Sequence, residues 1–359
     1  RLCFTGHYAA MNHELLAPLG HILAGEYEAE LVALAEGRAP ARTTIGKLDF
    51  PRPARAHLPP LDHYARLDMG DGQERLVGYT EATRGCLDRC RHCPLPAVYG
   101  GRFFVVPRDV VLADVAAQVD AGAQHITFGD PDFLNGPGHA RALLRELHAR
   151  WPALSFDITA QISHLLAHRD LVAELPGLGC AFVVSAVESL SDRVLAMLHK
   201  RHRRTDVVAA LELAAAAGLA LRPTLVPFTP WTEMADLTEL VDFIDDHALV
   251  DHLDPIQLTV RLLVPPGSLL LGDADAPRWF GPLDAVALTH SWRAADPRLD
   301  VLQQALSARM AAAAESEEAP RDTYVALRAL IDDAAGRRRA PPALPPRRRV
   351  PRLTEPWFC

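Results

Sequence analysis

Three closely spaced cysteines are the residues of this chain best suited to chemistry. Cys86, Cys90 and Cys93 lie in the segment "RGCLDRCRHCP" with a C-x3-C-x2-C spacing, and they are half of the six cysteines in 359 residues. Thiolates at this spacing bind either zinc or an iron–sulfur cluster. A structural zinc site needs a fourth ligand, and His92 would strain a tetrahedral site because it adjoins Cys93. Three thiolates on a 4Fe–4S cluster leave one iron open, and an open iron can bind a substrate directly.

The segments after residue 74 alternate between strand-like and helix-like patterns. Short runs rich in β-branched residues cover 75–82, 125–130, 155–161, 181–188, 221–228 and 256–266. Apolar residues recur with the period of a helix between them, over 110–121, 140–150, 167–174 and 205–217. Each interval is long enough for a crossover helix, so the pattern predicts an α/β fold with a parallel sheet, a partial (β/α)6 barrel over residues 74–266. Loops after the strands carry the chemistry in such folds, and the cysteine loop follows the first strand.

The segments on either side of this barrel have a different composition. Residues 1–46 are typical of the end of another α/β domain, and residues 47–73 form a Pro-rich linker. Residues 267–336 are predicted to form a helical extension. We expect the Pro- and Arg-rich tail, residues 337–359, to be extended and solvated. The chain starts without a methionine, so we expect further residues before Arg1.

Overall composition narrows the class of protein. Hydrophobic residues make up 49% of the chain and charged residues 23%, as in soluble globular proteins. The formal net charge of -8 argues against a nucleic-acid-binding protein. No apolar run reaches the roughly 18 residues that a membrane span needs. Clustered cysteines do not resemble a disulfide framework, and they predict a reducing, cytoplasmic location.

In these features the chain resembles the radical S-adenosylmethionine (SAM) superfamily, with His92 at the usually aromatic position before the last cysteine. The resemblance implies a 4Fe–4S cluster on the three cysteines and SAM as the second cofactor, its amino and carboxylate groups bound to the open iron. An electron from the cluster would then break a carbon–sulfur bond of SAM, and the carbon radical would attack a small-molecule substrate. It also implies an electron donor such as flavodoxin or ferredoxin. The alternative from the cysteines alone is a zinc-binding scaffold without enzymatic activity.

Two further turns resemble SAM-binding motifs of the family. Gly129 and Asp130, in "FGDPDF", stand where the family has a Gly-Gly-Glu-like turn that binds the SAM amino group, although Asp is shorter than Glu. Ser185 and Glu188, in "SAVES", resemble the family's G-x-E-S turn, with serine in place of glycine. The alternative for the second turn is a strand end that caps the helix beginning near Ser191.

Three other polar residues are candidate SAM-binding residues. Thr159 and Gln161 lie at the end of the predicted third strand, and Arg261 lies within the predicted sixth strand. Each of them could instead be a core polar residue whose hydrogen bonds are satisfied internally.

Both ends of the chain resemble parts of radical SAM subgroups. Residues 1–38 resemble the end of a cobalamin-binding domain, but the D-x-H-x-x-G signature of cobalamin binding is not in the sequence. The ending "LTEPWFC" resembles the CUAEP or CCAEP tail of a group that includes arsinothricin-biosynthesis enzymes. Cys359 would then be the first of two adjacent soft ligands, with the second beyond the end of this sequence, and such a pair suits trivalent arsenic. This resemblance implies transfer of the 3-amino-3-carboxypropyl group of SAM to arsenic, with Cys359 as a catalytic residue; the alternative is a cobalamin-type methyltransferase.

Overall fold

The computed structural model describes residues 2–46, 48–338, 342 and 344–354. Its strands, in chain order, are β1 (Cys3–Thr5), β2 (His21–Gly25), β3 (Thr43–Thr44), β4 (Arg66–Asp68), β5 (Glu74–Thr80), β6 (Thr83–Gly85), β7 (Phe103–Val105), β8 (His125–Phe128), β9 (Ser155–Thr159), β10 (Cys180–Glu188), β11 (Ala220–Leu225), β12 (Phe280–Asp284), β13 (Thr289–Trp292) and β14 (Arg352–Leu353).

The helices, in the same order, are α1 (His7–Met11), α2 (His13–Leu16), α3 (Glu28–Ala35), α4 (Pro94–Tyr99), α5 (Arg108–Asp120), α6 (Pro137–Arg150), α7 (Ile162–Ala167), α8 (Arg169–Glu174), α9 (Asp192–Met197), α10 (Arg204–Ala217), α11 (Met234–Asp246), α12 (Ala276–Trp279), α13 (Pro297–Glu315) and α14 (Pro320–Ala334). Among the described residues, no helix has the length and apolar character needed to cross a membrane.

A curled seven-stranded sheet forms the centre of the fold, with strand order β11-β10-β9-β8-β5-β4-β14. Strands β5, β8, β9, β10 and β11 are parallel, as the alternation of strand and helix patterns predicts. Alternate residues of these strands point to opposite faces: Ile126 and Phe128 join the large outer core, whereas His125 faces inward. The α/β half-barrel predicted from the sequence is therefore confirmed.

The sixth predicted strand, 256–266, differs from the expectation. Residues Pro255–Thr259 form a 3-10 helix instead, and Arg261 makes a single parallel bridge with Phe228. Proline lacks the amide that a sheet ladder needs, and prolines stand at both ends of this run. Its apolar residues, such as Leu258 and Leu262, are buried because they belong to the outer core.

The inner face of the half-barrel carries a buried polar network near the amino ends of the strands. His125 Nε2 lies 2.7 Å from Asp157 Oδ1, and its Nδ1 lies 2.8 Å from the Ser155 hydroxyl. Thr127 donates to Asp157 at 2.7 Å, and Arg75 donates to Ser155 at 2.7 Å. These bonds satisfy polar groups that would otherwise destabilise the interior, and they hold neighbouring strands in register.

A separate three-stranded parallel sheet, β1-β2-β3, precedes the barrel. The loop after β2 reaches the cysteine segment, where Glu26 accepts a hydrogen bond from the Tyr99 hydroxyl at 2.9 Å and pairs with Arg84 at 3.0 Å. This arrangement agrees with an α/β unit before the barrel; the domain boundaries given above stay predictions.

The C-terminal segment packs against the protein at Arg337 and again from Val350 to Leu353, so the expectation of a solvated tail is wrong for these residues, whereas residues 346–349 are exposed as expected. Arg337 pairs with Asp242 at 2.7 Å, and the amide of Arg348 donates to Asp251 at 2.6 Å. Strand β14 then joins the sheet beside β4, antiparallel to it, and Leu353 packs against the inner-face apolar cluster. Asp242 neutralises Arg337, Asp251 accepts from the backbone of Arg348, and the free edge of β4 provides backbone partners for β14, none of which composition can show.

Candidate active site

The three cysteines lie in a loop closed by a short hairpin at the carboxyl end of β5. Strands β6 and β7 pair antiparallel on either side of the loop, and the Cys86 amide donates to the Arg102 carbonyl at 3.1 Å. The loop is also fixed at its middle, where the Arg91 amide donates to the Leu198 carbonyl at 2.9 Å. Helix α4 begins directly after Cys93 with Pro94 in its first turn.

Burial keeps the three thiols protonated in the absence of a metal. It raises the pKa of Cys86, raises that of Cys90 to about 11 and raises that of Cys93 to about 12. The negative charges of the neighbouring thiolates raise the pKa of Cys93 further. A soft metal would replace these protons, because thiolates are its preferred ligands.

Amide side chains contact the first of these sulfurs. Gln161 Nε2 lies 3.8 Å from Cys86 Sγ, and Asn135 Oδ1 lies 4.0 Å from the same sulfur and accepts from the Leu87 amide at 3.3 Å. Gln161 is buried at the end of β9, and its Oε1 has no hydrogen-bond partner among the described residues. Hydrogen bonds to ligand sulfurs tune the reduction potential of an iron–sulfur cluster, so the structure brings Gln161 to the cysteines in a useful role.

Glu188 ends β10 with an unusual backbone conformation, at a φ of 63°. Its carboxylate lies 3.4 Å from Lys200 Nζ and 3.2 Å from His92 Nε2. Burial by itself would raise the pKa of Glu188, but Lys200 and then His92 outweigh it and hold the pKa at about 2. A charged carboxylate therefore lies directly beside the cysteine loop, and it is held there by a residue of that loop.

Gly129 and Asp130 follow β8 at the same edge of the sheet. Asp130 is fully buried, and it accepts from the Ala82 amide at 2.9 Å and from the Thr83 hydroxyl at 2.5 Å. Burial raises the pKa of Asp130 to about 7, although these hydrogen bonds lower it. A Cβ added at Gly129 would lie 1.8 Å from the Tyr79 hydroxyl, so only glycine allows Tyr79 its place over this turn.

A cavity of about 750 Å³ opens along the inner face, and Tyr79, Gly129, Asp130 and Thr159 line it. Its other walls include the Pro-rich linker, Ala117 and Gln118 of α5, and Leu353 of β14. Three of the candidate SAM-binding residues therefore share one cavity. It runs from the predicted SAM turn toward the middle of the sheet.

Residues 80–241 match the family described as the radical SAM superfamily. The chain carries a radical SAM domain. Members of this superfamily are enzymes, and the family implies a 4Fe–4S cluster and SAM. The alternative of a non-enzymatic zinc scaffold is therefore not supported.

Two proteins with similar sequences are methylthiotransferases. The tRNA-2-methylthio-N(6)-dimethylallyladenosine synthase of Sorangium cellulosum is 28% identical over 222 residues, which are 54% of this chain and 42% of that protein. The ribosomal protein uS12 methylthiotransferase RimO of Syntrophus aciditrophicus is 24% identical over 207 residues, 52% of this chain and 44% of that protein. The chain thus spans less than half the length of these curated relatives.

Two solved structures extend the similarity beyond the radical SAM domain. OxsB, a cobalamin-dependent radical SAM enzyme solved with aqua-cobalamin and SAM, has a TM-score of 0.66 at 14% identity, over 85% of this chain and 53% of that one. TsrM, a radical SAM methyltransferase from Kitasatospora setae solved with cobalamin and a [4Fe-4S] cluster, has a TM-score of 0.53 at 18% identity, over 68% of this chain and 53% of that one. At these identities the similarity shows a shared fold.

The cysteine loop of the radical SAM domain fits a 4Fe–4S cluster. The Cys93 thiol lies close enough to Cys86 and Cys90 for their charges to act on it, and Cys86 and Cys93 pack with Leu95 and Tyr99, so a cluster there would be shielded from water. Cys86, Cys90 and Cys93 would hold it, and the cluster would supply the electron that cleaves SAM.

Two predicted residues of the radical SAM domain lie apart from this group. The Ser185 hydroxyl donates to the Ala160 carbonyl at 2.7 Å and is fully buried, so it links β10 to the end of β9. Arg261 pairs with Asp300 at 2.7 Å and stacks 3.5 Å above the Trp292 ring. Their roles in SAM binding stay predictions, because within the described ranges neither side chain hydrogen-bonds to another candidate site residue. Cys359 lies outside the described residues.

Sequence reasoning missed Lys200, Asn135 and Tyr79. Lys200 lies in "LHKRH", a run that resembles an ordinary solvated helix end. Its side chain is only 2% exposed, which a lysine tolerates when it is paired. The one available signal was Glu188 itself, because a buried carboxylate requires a cationic partner.

Proposed function

We propose that this chain is an enzyme that cleaves SAM reductively at a 4Fe–4S cluster on Cys86, Cys90 and Cys93, and that it adds the resulting carbon radical to a small substrate. The observation that carries the proposal is the position of the three thiols, of which Cys86 and Cys90 are buried and Cys93 is half-buried, at the same sheet edge as the cavity lined by Gly129, Asp130 and Thr159. SAM would lie between them, with its sulfur toward the cluster and its reacting carbon toward the cavity.

The chain's own residues would each contribute a defined function. Gln161 donates to the Cys86 sulfur, and the Glu188–Lys200 pair places two fixed charges beside the cluster loop. Asp130 anchors the turn from β5 into the loop through Ala82 and Thr83. This turn and the hairpin above it would keep water away from a radical.

The more specific proposal is transfer of the 3-amino-3-carboxypropyl group to trivalent arsenic held by Cys359 and the following residue. The direction of β14 supports it. Because β14 is antiparallel to β4 and β4 is antiparallel to β5, β14 runs toward the carboxyl ends of the barrel strands. The Thr354 amide donates to the Arg66 carbonyl, at the level of Leu76.

The separation between Thr354 and the cysteine loop is comparable to the length of the five residues that follow Thr354. The level of Thr80, where the cysteine loop begins, lies four residues further along β5, about 13 Å at the rise of a strand, and β5 lies two strand spacings, about 10 Å, to the side of β14, so the direct distance is about 16 Å. The five residues 355–359 can span about 17 Å when extended. A thiol at position 359 could therefore meet a substrate beside the cluster.

A cobalamin-type radical SAM methyltransferase is the second candidate. It is supported by the fold shared with OxsB and TsrM and by the three-stranded parallel sheet that contacts the cysteine loop through Glu26. The two candidates differ in the fragment of SAM that reaches the product. The sequence predicts that the chain binds no nucleic acid. This stays a prediction, because one protein with a similar sequence is a tRNA-2-methylthio-N(6)-dimethylallyladenosine synthase.

Mass spectrometry of the products from isotopically labelled SAM would separate them. Reconstituted enzyme, SAM, reductant and arsenite should give an arsenic product that carries the aminocarboxypropyl group. A chain shortened after Thr354, which keeps β14, and the variant Cys359→Ser should lose this product but still cleave SAM. Cys3→Ser is the matched control and should keep it. Equal product from the shortened chain would remove the tail from the mechanism, and a methylated product that requires cobalamin would favour the second candidate.

A further inference from the structure

The outer surface of the cysteine loop offers a short route for an electron into the site. Leu87 and Arg89 are exposed, with 47% of Leu87 accessible, whereas their neighbours Cys86 and Cys90 are each 6% exposed. The surface is therefore one residue away from two of the proposed cluster ligands. SAM would approach from the barrel interior, so this outer side stays open for an electron donor.

Three exposed arginines surround Leu87. The Arg89 side chain lies over Gly101, where a Cβ would be 3.4 Å from its Cγ and Cδ, and this brings it next to Arg102. Arg201 is 67% exposed, and it pairs at 3.0 Å with Asp88, the buried residue between Leu87 and Arg89. We name Leu87, Arg89, Arg102 and Arg201 the loop face.

Two of these arginines have no internal partner. Within the described part of the chain, neither the Arg89 nor the Arg102 side chain makes a hydrogen bond or an ion pair. The pair formed by Arg201 leaves its guanidinium largely in water. Most other arginines of the barrel, such as Arg145 and Arg204, are paired with carboxylates. Unpaired positive charge is thus concentrated where electrons would enter.

The sign of this charge is opposite to that of the chain. At a net charge of -8 the molecule as a whole repels an acidic partner, so a local positive patch both attracts and orients such a partner. An exposed apolar residue at its centre suits a short-lived contact, since transient redox complexes have small interfaces.

We propose that the loop face docks an acidic one-electron carrier protein of the flavodoxin or ferredoxin type. The carrier is oxidised by one electron, and the cluster is reduced by that electron from its 2+ to its 1+ state; no atom is transferred. This inference rests on the proposed function, because it needs a cluster to receive the electron.

Binding is measured first, by calorimetry of anaerobic holoenzyme with an oxidised acidic flavodoxin and, in a parallel series, an acidic ferredoxin. Arg89→Glu/Arg102→Glu should weaken binding at least tenfold. Arg89→Lys/Arg102→Lys should stay within threefold of the wild type. Arg145→Glu/Arg150→Glu reverses two exposed charges near the end of α6, at the opposite end of the barrel, and should also stay within threefold.

Reduction of the cluster is measured second, by its visible absorbance and its electron paramagnetic resonance signal. The rate with reduced flavodoxin should fall at least tenfold in the Glu variant, and the wild-type rate should fall with rising salt. Photoreduced deazaflavin, a small reductant, should reduce all variants at equal rates, which shows that the cluster is intact.

The outcomes are distinguishable. No binding of either carrier to the wild type, or equal binding by the Glu variant, overturns the docking site. Binding of total tRNA that is lost in the Glu variant while carrier binding is kept would assign the loop face to nucleic acid and would overturn it too. Holoenzyme that deazaflavin reduces but that cannot cleave SAM contradicts the proposed function and leaves the docking result to stand by itself.

Discussion

Replacing Lys200 by methionine removes the ammonium that keeps a buried carboxylate charged beside the cysteine loop. In the wild type, Lys200 and His92 hold the pKa of Glu188 at about 2, against an ordinary value of 4.5. At 1.36 kcal/mol per pKa unit, this difference corresponds to roughly 3 kcal/mol of stability at neutral pH. Removing one partner of a buried ion pair costs about 3–5 kcal/mol, because the other charge stays buried. We therefore expect Lys200→Met to lose about 3 kcal/mol of unfolding free energy.

The interaction itself is measured by a double-mutant cycle. Glu188→Gln and Lys200→Met each leave one buried polar group without its partner, whereas the double variant leaves neither. The destabilisation of the double variant should therefore be about 2 kcal/mol smaller than the sum of the two single effects. The assay is urea unfolding of cluster-free protein at pH 7. The control cycle uses Arg204→Met and Glu239→Gln, an exposed pair at 2.7 Å, whose coupling should stay below about 1 kcal/mol.

The pH dependence gives an independent test with a defined sign. In the wild type the folded pKa of Glu188 lies below its unfolded value, so its contribution is complete above about pH 4.5 and disappears only as the pH falls through about 2. Without Lys200, burial raises the folded pKa of Glu188 above its unfolded value. Stability is then lost as the pH rises from the unfolded pKa to the raised folded pKa. The deficit of Lys200→Met should thus be smaller at pH 5 than at pH 7.5. Additive effects within about 0.5 kcal/mol together with a deficit independent of pH would refute the pairing.

Three further predictions concern the turn and the loop. Gly129→Ala should raise the Kd for SAM about tenfold but change the unfolding free energy by less than about 1 kcal/mol, because the added Cβ displaces only the far end of the half-exposed Tyr79. The double variant with Tyr79→Ala should restore SAM binding, and wild-type affinity in Gly129→Ala would contradict the steric argument. The folded pKa of Asp130, about 7, exceeds its unfolded value of 3.8, so Asp130 stabilises the protein most below pH 3.8. Relative to Asp130→Asn, the wild type should lose about 1.4 kcal/mol of unfolding free energy per pH unit between pH 4 and pH 7, and no more above pH 7. Parallel plots of unfolding free energy against pH for the two proteins, measured by urea unfolding, would exclude the raised pKa. Cys86→Ala should abolish both the cluster and SAM cleavage, measured as iron content and 5′-deoxyadenosine or methylthioadenosine release, whereas full iron in this variant would show a different ligand set.

The sequence by itself determined most of the barrel and pointed to the candidate cluster site. The three thiols are within eight residues of one another, so local spacing was enough to indicate zinc or an iron–sulfur cluster as the candidate ligand. The strands and helices carry their periodicity in short segments, and five parallel strands appear where those segments lie. Gln161 and Glu188 could be named because parallel strands end at one edge, which brings residues after different strands together.

Only the tertiary structure decided what surrounds that centre. Lys200 reaches Glu188 across twelve residues and a helix, and Asn135 meets Cys86 across 49 residues, so no local pattern relates these pairs. The sixth apolar run was misread because a buried strand and a buried irregular segment have the same composition. The packed parts of the tail were misread because their packing depends on carboxylates and on a free strand edge elsewhere in the chain, at Asp251, Asp242 and β4. Composition shows which residues can be solvated, but only the folded structure shows which of them are paired or packed against other parts of the chain.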